Sequence, residues 1–366
     1  MRVCHITSAH PWNDVRIFHK QCASLAASGH EVHLVAKDCQ GQDGAGVILH
    51  SFKSSSNRFQ RMLTDVDAAV SLALKVEADV YHLHDPELLR LAGKLLDSKA
   101  KVVFDAHEDL PKQILSKHYI PSLIRPALSA YFSRWEKRKT QGLHAVVGAT
   151  EAISAKFANW TKSVTVSNYP MPGEFSHIQT RSEAAVTSAC YAGGISKIRG
   201  IEEIIAVAEK LSEVEFHLAG PISNDGSTEL IERAVRLPNF FYKGVLSREE
   251  VTGLYAECQI GLLPFRDVPN HQGAVPNKMF EYMAAGLLVV ANRFESWEFI
   301  LEKEQAGVFV PFSDVNVTAS EIRKLIGEQE KVYKMGLNGQ RLVSERFNWD
   351  VEYERLRNLY DELERT

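Results

Sequence analysis

Short apolar runs alternate with segments of helical period from the first residues onward. MRVCHIT reads as a strand, VRIFHKQCASLAASG as a helix closed by Gly29, and HEVHLVAKD as the next strand. ADVYHLHD, KVVFDAHED and LHAVVGAT follow, each ending in polar residues where a strand opens into a loop. Around SVTVSNYPMPGEF the pattern breaks, and two prolines and a glycine mark a hinge. It then resumes with SACYAGG, EFHLAG, FFYKG, QIGLLPF and LLVVAN as strands. Between them lie helices over GIEEIIAVAEKL, near STELIERAVRL, and over SREEVTGLYAEC and KMFEYMAAG; a helical tail ends the sequence. Strands alternating with helices imply right-handed crossovers and parallel sheets covered on both faces. The pattern predicts two doubly wound, Rossmann-like α/β domains, residues 1–168 and 169–345, with a tail over 346–366 free to cross back to the first. In such sheets ligands sit beyond the carboxyl ends of the strands, so the expected site is the cleft across which the domains face each other.

The length of 366 residues exceeds one ordinary core, which agrees with two domains. A chain 45% hydrophobic and 24% charged is a globular protein, neither disordered nor fibrous. No window approaches the roughly 18 apolar residues of a membrane span, and the start lacks the features of a signal peptide. The five cysteines are scattered without metal spacing, which suits buried thiols in a cytoplasmic protein. HLHD and DAHED fall on separate strands and form no helical metal motif, so no metal is expected. Residues 1–170 hold 21 Lys and Arg against 16 Asp and Glu, and the remainder 21 against 30. This asymmetry suggests different surface partners for the halves, or a drift in solvated faces.

Two constellations carry candidate chemistry. CYAGGISKIRGIEEI places Gly193, Gly194 and Gly200 between a strand and a helix, where backbone amides can approach an anion and Arg199 can pair with a phosphate. Strand-to-helix turns also carry glycine for geometry alone. In VPNKMFEYMAAGLLVVAN, Lys278 and Glu281 share a helix face one turn apart. That spacing fits a cation for a diphosphate and a carboxylate for ribose hydroxyls, and equally a solvated pair. The combination gives both their meaning.

FEYMAAGLLVVAN, with YAGGISKIRGIEE and YKGVLSREEVTGLYAECQIGLLPF, resembles the second domain of the GT-B glycosyltransferases of family four, a member of the group 1 glycosyl transferases. HPWNDVRIFHKQCASLAASGHEVHLVA and the DVYHLHDPE…FDAHED pair resemble its first domain, so the likeness spans almost the whole chain in the family's motif order. It implies a GT-B fold and transfer of a sugar with retention from a nucleotide diphosphate sugar, without metal or cofactor. By the same likeness Glu281 holds the donor ribose, and Arg199 and Lys278 neutralise the departing diphosphate beside Gly193 and Gly194. Val245 lies beside the nucleobase through its backbone, and His107 stands beside the transferred sugar as a positioning group. Asp14 and Arg16 replace the family's glycine-rich first loop and face the donor phosphates or the acceptor. Two positions depart from the pattern: Gly273 stands where relatives carry a first glutamate, and Gly194 where they carry an arginine.

Such a transition state resembles an oxocarbenium ion, so stabilising the leaving charge is the main task, one that two cations and a helix N-terminus can perform. YIPSLIRPALSAYFSRWEKRKTQG adds Ile124, Leu128, Tyr131 and Trp135 at helical spacing beside Arg125, Arg134, Lys137, Arg138 and Lys139. Residues 119–141 therefore either meet an anionic membrane surface or pack as a surface helix, with Pro126 required to lie in its first turn. No nucleic-acid module surrounds these charges. The expected function is transfer to a glycan or lipid-linked acceptor in cell-surface polysaccharide synthesis. A sugar-nucleotide epimerase and a non-catalytic nucleotide-sugar-binding partner are the alternatives. An NAD dehydrogenase is disfavoured because no GxGxxG follows MRVCHITS.

Overall fold

The computed structural model describes residues 1–39, 44–54, 64–117, 120–178, 186–269 and 271–365. They form two units, Met1–Asn168 with Trp349–Thr366, and Tyr169–Asn348. Each is built on one parallel sheet.

In the first unit the strands are β1 (Arg2–Pro11), β2 (Glu31–Lys37), β3 (Val47–Phe52), β4 (Val80–Leu83), β5 (Lys101–Ala106), β6 (Ala145–Gly148) and β7 (Ser163–Thr165). Their order is β3-β2-β1-β4-β5-β6-β7, every pair parallel. Strands covered on both faces need apolar residues at successive positions, and Val80–Leu83 and Ala145–Gly148 are buried throughout. Cys4, Ile6, Tyr81, Leu83, Val102 and Phe104 pack against Val66, Val70, Leu88 and Phe157 from the helical segments. Burying a side chain such as Phe104 contributes about 1.5–3 kcal/mol.

The second unit contains β8 (Ser188–Ala192), β9 (Glu215–Ala219), β10 (Phe240–Tyr242), β11 (Ile260–Leu263), β12 (Leu288–Ala291) and β13 (Gly307–Phe309). The order β10-β9-β8-β11-β12-β13 reverses direction at β8, just as the first sheet reverses at β1. Such reversal points are where the carboxyl ends of parallel strands open a ligand site. Both units are therefore doubly wound, as the alternation predicts.

Three features differ from the sequence reading. A strand, β7, occupies part of the segment read as a break, because Ser163–Thr165 pair with β6 although they form no apolar run. The three-residue edge strand β13 and the strand β3 also escape a pattern that relies on longer apolar runs. The first helical segment begins as a wider π-turn over Val15–Cys22 and becomes α-helical only at Ala23–Ala27.

The tail resolves into the helices Val315–Gly327, Gln329–Glu345 and Trp349–Arg365, with Thr366 outside the described residues. The last helix buries Trp349, Leu356, Leu359, Tyr360 and Leu363 along one stripe and belongs to the first unit. There the Trp349 indole donates to Ser24 Oγ at 2.8 Å, and Glu352 accepts from the Ser167 amide at 2.6 Å.

Candidate functional site

In the second unit β8 runs into Gly193 and Gly194, a short 3-10 turn over Lys197–Arg199, and the helix Ile201–Lys210. Gly193 takes φ 139°, a backbone conformation that L side chains rarely adopt. A Cβ on Gly193 would collide with the Lys278 amine, and one on Gly194 with the Arg199 guanidinium. Arg199 Nη1 donates to the Gly194 carbonyl at 3.2 Å, which also accepts from Tyr191 Oη at 2.9 Å. Lys278 Nζ lies 4.8 Å above the Tyr191 ring and 5.5 Å from that of Phe265. Lys278, distant in sequence, thus joins Gly193, Gly194 and Arg199 at the carboxyl end of β8. Burial, with Arg199 nearby, pushes the Lys278 amine down to about 7, against a smaller opposing pull from Glu281. Two basic side chains gathered beside a glycine turn at a helix N-terminus suit an anionic ligand.

Lys278 and Glu281 both lie on the helix Asn277–Ala284. Glu281 Oε1 accepts from Arg248 Nη1 at 2.8 Å and Oε2 from Tyr255 Oη at 3.1 Å. Arg248 Nε donates to Glu174 at 2.6 Å. Sequence reasoning missed Arg248, Tyr255 and Glu174, although Arg248 and Tyr255 stand two turns apart on one helix face. Val245 is 71% exposed on the loop after β10, just before the capping box of Ser247 and Glu250. Gly273 adopts φ 74°, a conformation that would strain a glutamate.

The first unit gathers a different set around Asp105, at the end of β5. Arg16 clamps its carboxylate with two bonds, of 2.9 and 2.7 Å, and Gln21 adds a third at 2.7 Å. The wider π-turn brings both residues round to one carboxylate. His84 Nδ1 and His107 Nε2 each lie 3.2 Å from Asp105 Oδ2. Burial would raise the Asp105 carboxyl, but Arg16 and His107 outweigh it and hold it well below the carboxylate range. Arg16 is 4% exposed and its guanidinium is engaged with Asp105 and the Val166 carbonyl, so it is no free loop cation. Asp14 caps the π-turn, accepting from the amides of Arg16 and Ile17.

His107 remains partly exposed, its ring 4.9 Å from that of His10, which pairs with buried Asp85 at 2.8 Å. Behind them His5, His82 and His84 form a buried stack with ring centroids 4.8–5.1 Å apart. Their ligand nitrogens lie within 4.8 Å of one another, a grouping across strands that a search for a helical metal motif does not detect. His5 and His82 are register partners on β1 and β4.

The helix Arg125–Thr140 has Pro126 in its first turn. Leu123, Ile124 and Tyr131 are 92%, 52% and 61% exposed, while Trp135 packs against the core and Leu128 is half-buried. Arg134, Lys137 and Arg138 are exposed, Arg125 and Lys139 half-buried, and Tyr119 lies outside the described residues. No helix among the described residues is long and apolar enough to cross a membrane.

Comparison with known proteins places these geometries in a family context. Residues 15–166 match the Glycosyltransferase Family 4 model and residues 188–328 the Glycosyl transferases group 1 model. The chain is 30% identical over 106 residues to the putative teichuronic acid biosynthesis glycosyltransferase TuaH of Bacillus subtilis, covering 29% of this chain and 26% of that protein. It is 21% identical over 245 residues to the alpha-galactosylglucosyldiacylglycerol synthase of Streptococcus pneumoniae, covering 63% and 64%. The chain thus spans about a quarter and just under two thirds of the lengths of these relatives. The structure of Anabaena Alr3699/HepE in complex with UDP and glucose superposes with a TM-score of 0.72 over 99% of both chains at 14% identity. With two parallel-sheet units and these two matches, the chain carries the GT-B fold of glycosyltransferases, its first half matching family 4 and its second half group 1.

Proposed function

We propose that the chain is a glycosyltransferase that moves a sugar from a nucleotide diphosphate sugar to a glycan or lipid-linked acceptor in cell-surface polysaccharide synthesis. The observation that carries this reading is the convergence of Arg199 and Lys278 on the Gly193–Gly194 turn, with Glu281 one helical turn from Lys278. The two cations stabilise the departing diphosphate, Glu281 accepts from ribose hydroxyls, and Val245 borders the base. The partly exposed imidazole of His107, anchored by Asp105, positions the transferred sugar. Transfer proceeds with retention, as the family resemblance implies, and without a metal, the protein's own cations supplying the countercharge. The relatives' names, in teichuronic acid and glycolipid synthesis, support the acceptor class.

A thermal-shift screen against UDP, GDP, ADP and CDP tests the donor site. At a hundredfold excess over Kd the bound nucleotide stabilises by about 2.7 kcal/mol, so at least one should raise the melting temperature by several degrees. The reading fails if none does. Proton NMR of the product assigns its anomer, transfer should survive EDTA, and incubation with donor alone should return no epimer.

The exposed apolar cluster at the start of Arg125–Thr140, followed by Arg134, Lys137 and Arg138, suits peripheral contact with an anionic membrane. Insertion falls to Leu123, Ile124 and Tyr131 rather than to Trp135, which packs inward. The protein should sediment with anionic vesicles, not with neutral ones, and leave them as salt screens the charges. Leu123→Ser with Ile124→Ser should abolish sedimentation without lowering thermal stability. Equal sedimentation with both vesicle types would remove the electrostatic contact.

A further inference from the structure

The hydrogen bonds already made by Glu281 define what else it can accept. An ionised carboxylate is an acceptor only, with about four lone-pair sites shared between its oxygens. Arg248 fills one site on Oε1 and Tyr255 one on Oε2. Each oxygen therefore keeps one acceptor site. We propose that Arg248 and Tyr255 tailor Glu281 to a vicinal diol, the 2′ and 3′ hydroxyls of a ribose, so that the site selects ribonucleotides over 2′-deoxyribonucleotides. This rests on the reading of the second unit as a nucleotide site and adds to it two positioning residues and a specificity.

The two donors are themselves fixed. Arg248 and Tyr255 share one face of the helix Arg248–Glu257, so both reach the same carboxylate on the neighbouring helix. Arg248 is held from its other side by Glu174 at 2.6 Å and lies 5.3 Å from the Phe175 ring centroid. Tyr255 is fully buried, against Tyr282 and Phe175. The carboxylate is thereby oriented before any ligand arrives, so the two remaining sites point in set directions. A ligand with one hydroxyl would fill the remaining acceptor site of one oxygen and leave that of the other desolvated and unfilled, which is the source of discrimination.

Isothermal titration compares three probes: the nucleoside diphosphate with the largest thermal shift among UDP, GDP, ADP and CDP, its 2′-deoxy counterpart, and inorganic pyrophosphate. Wild type should bind the ribonucleotide about tenfold or more tightly than the deoxynucleotide. Arg248→Met should bring that ratio toward one while leaving pyrophosphate affinity within about twofold, and Arg248→Lys should restore part of the ratio. Glu281→Gln, which retains a single acceptor oxygen, should collapse the ratio as well and serves if Arg248→Met does not fold. Equal binding of the two nucleotides by wild type overturns the proposal, as does a full ratio in the folded variants. Parallel loss of pyrophosphate affinity assigns Arg248 to bulk charge and overturns it too. A wild type that binds none of the four nucleotides retires the nucleotide site itself and this proposal with it, whereas one that binds ribo and deoxy forms alike retires only the specificity.

Discussion

Replacing Lys278 by alanine should weaken nucleoside diphosphate binding by roughly one to two orders of magnitude, since a hydrogen bond to a charged group contributes about 1.5–3 kcal/mol. The same substitution should remove most of the transfer rate, because the countercharge matters most as the diphosphate departs. The amine also brings a pH signature. Held near 7 in the free protein by burial and Arg199, it is largely neutral at pH 8, while a bound diphosphate favours its charged form. Binding should therefore take up a proton above pH 7, and affinity should fall as pH rises from 7 to 9. Titration in buffers of different ionisation enthalpy reads the uptake directly. Lys278→Arg keeps its charge over that range and should show neither the uptake nor the slope. An affinity independent of pH in wild type would contradict the depressed amine, and an unimpaired alanine variant would contradict the diphosphate role.

Arg16→Ala should destabilise the first unit by about 3–5 kcal/mol, because it strands the Asp105 carboxylate in the interior with its bidentate partner gone. The same region should make the protein acid-sensitive unusually early. Burial holds His5, His82 and His84 below the ordinary histidine value of 6.5, so the unfolded chain binds more protons than the folded one once pH drops past that value. Stability is then present above 6.5 and lost as pH falls through it, well before carboxylates titrate. Asp105, depressed in the fold, adds a second loss in the carboxylate range. His10, raised by Asp85 despite its burial, and Glu87, raised by burial, act in the opposite sense. Thermal midpoints at pH 7 and pH 5 measure the balance. A midpoint that holds or rises at pH 5 would show that the buried imidazoles do not resist protonation.

The sheets were legible because strands buried on both faces must be apolar at successive positions, and the helices between them carry polar faces that break the run. Ser163–Thr165 and Gly307–Phe309 were not, since three residues at a sheet edge carry too little pattern. The phosphate-like turn was legible for a local reason: glycine is required where the backbone takes positive φ, 139° at Gly193 and 85° at Gly200. Arg248 was not, because a charge in the first turn of a helix looks like any solvated residue until Glu174 and Glu281 are brought to it. Arg16 reads as a loop cation, yet the π-turn buries it on Asp105, far away in sequence. Trp135 follows the same helical spacing as Tyr131, and only packing separates the inward ring from the exposed one.

The helix Trp349–Arg365 closes the unit that the first residues begin. During synthesis, the second unit has all of its sequence before the first does. Nascent domains generally fold in order from the amino terminus. Here that order is inverted for the finished state: β1 to β7 must wait, with His82 lacking Tyr360 and Ser24 lacking Trp349, until the last helix emerges. A nascent first unit is thus a partly covered sheet that depends on residues 349–365, and a stall before they emerge would harm it more than the second unit, whose sequence precedes them.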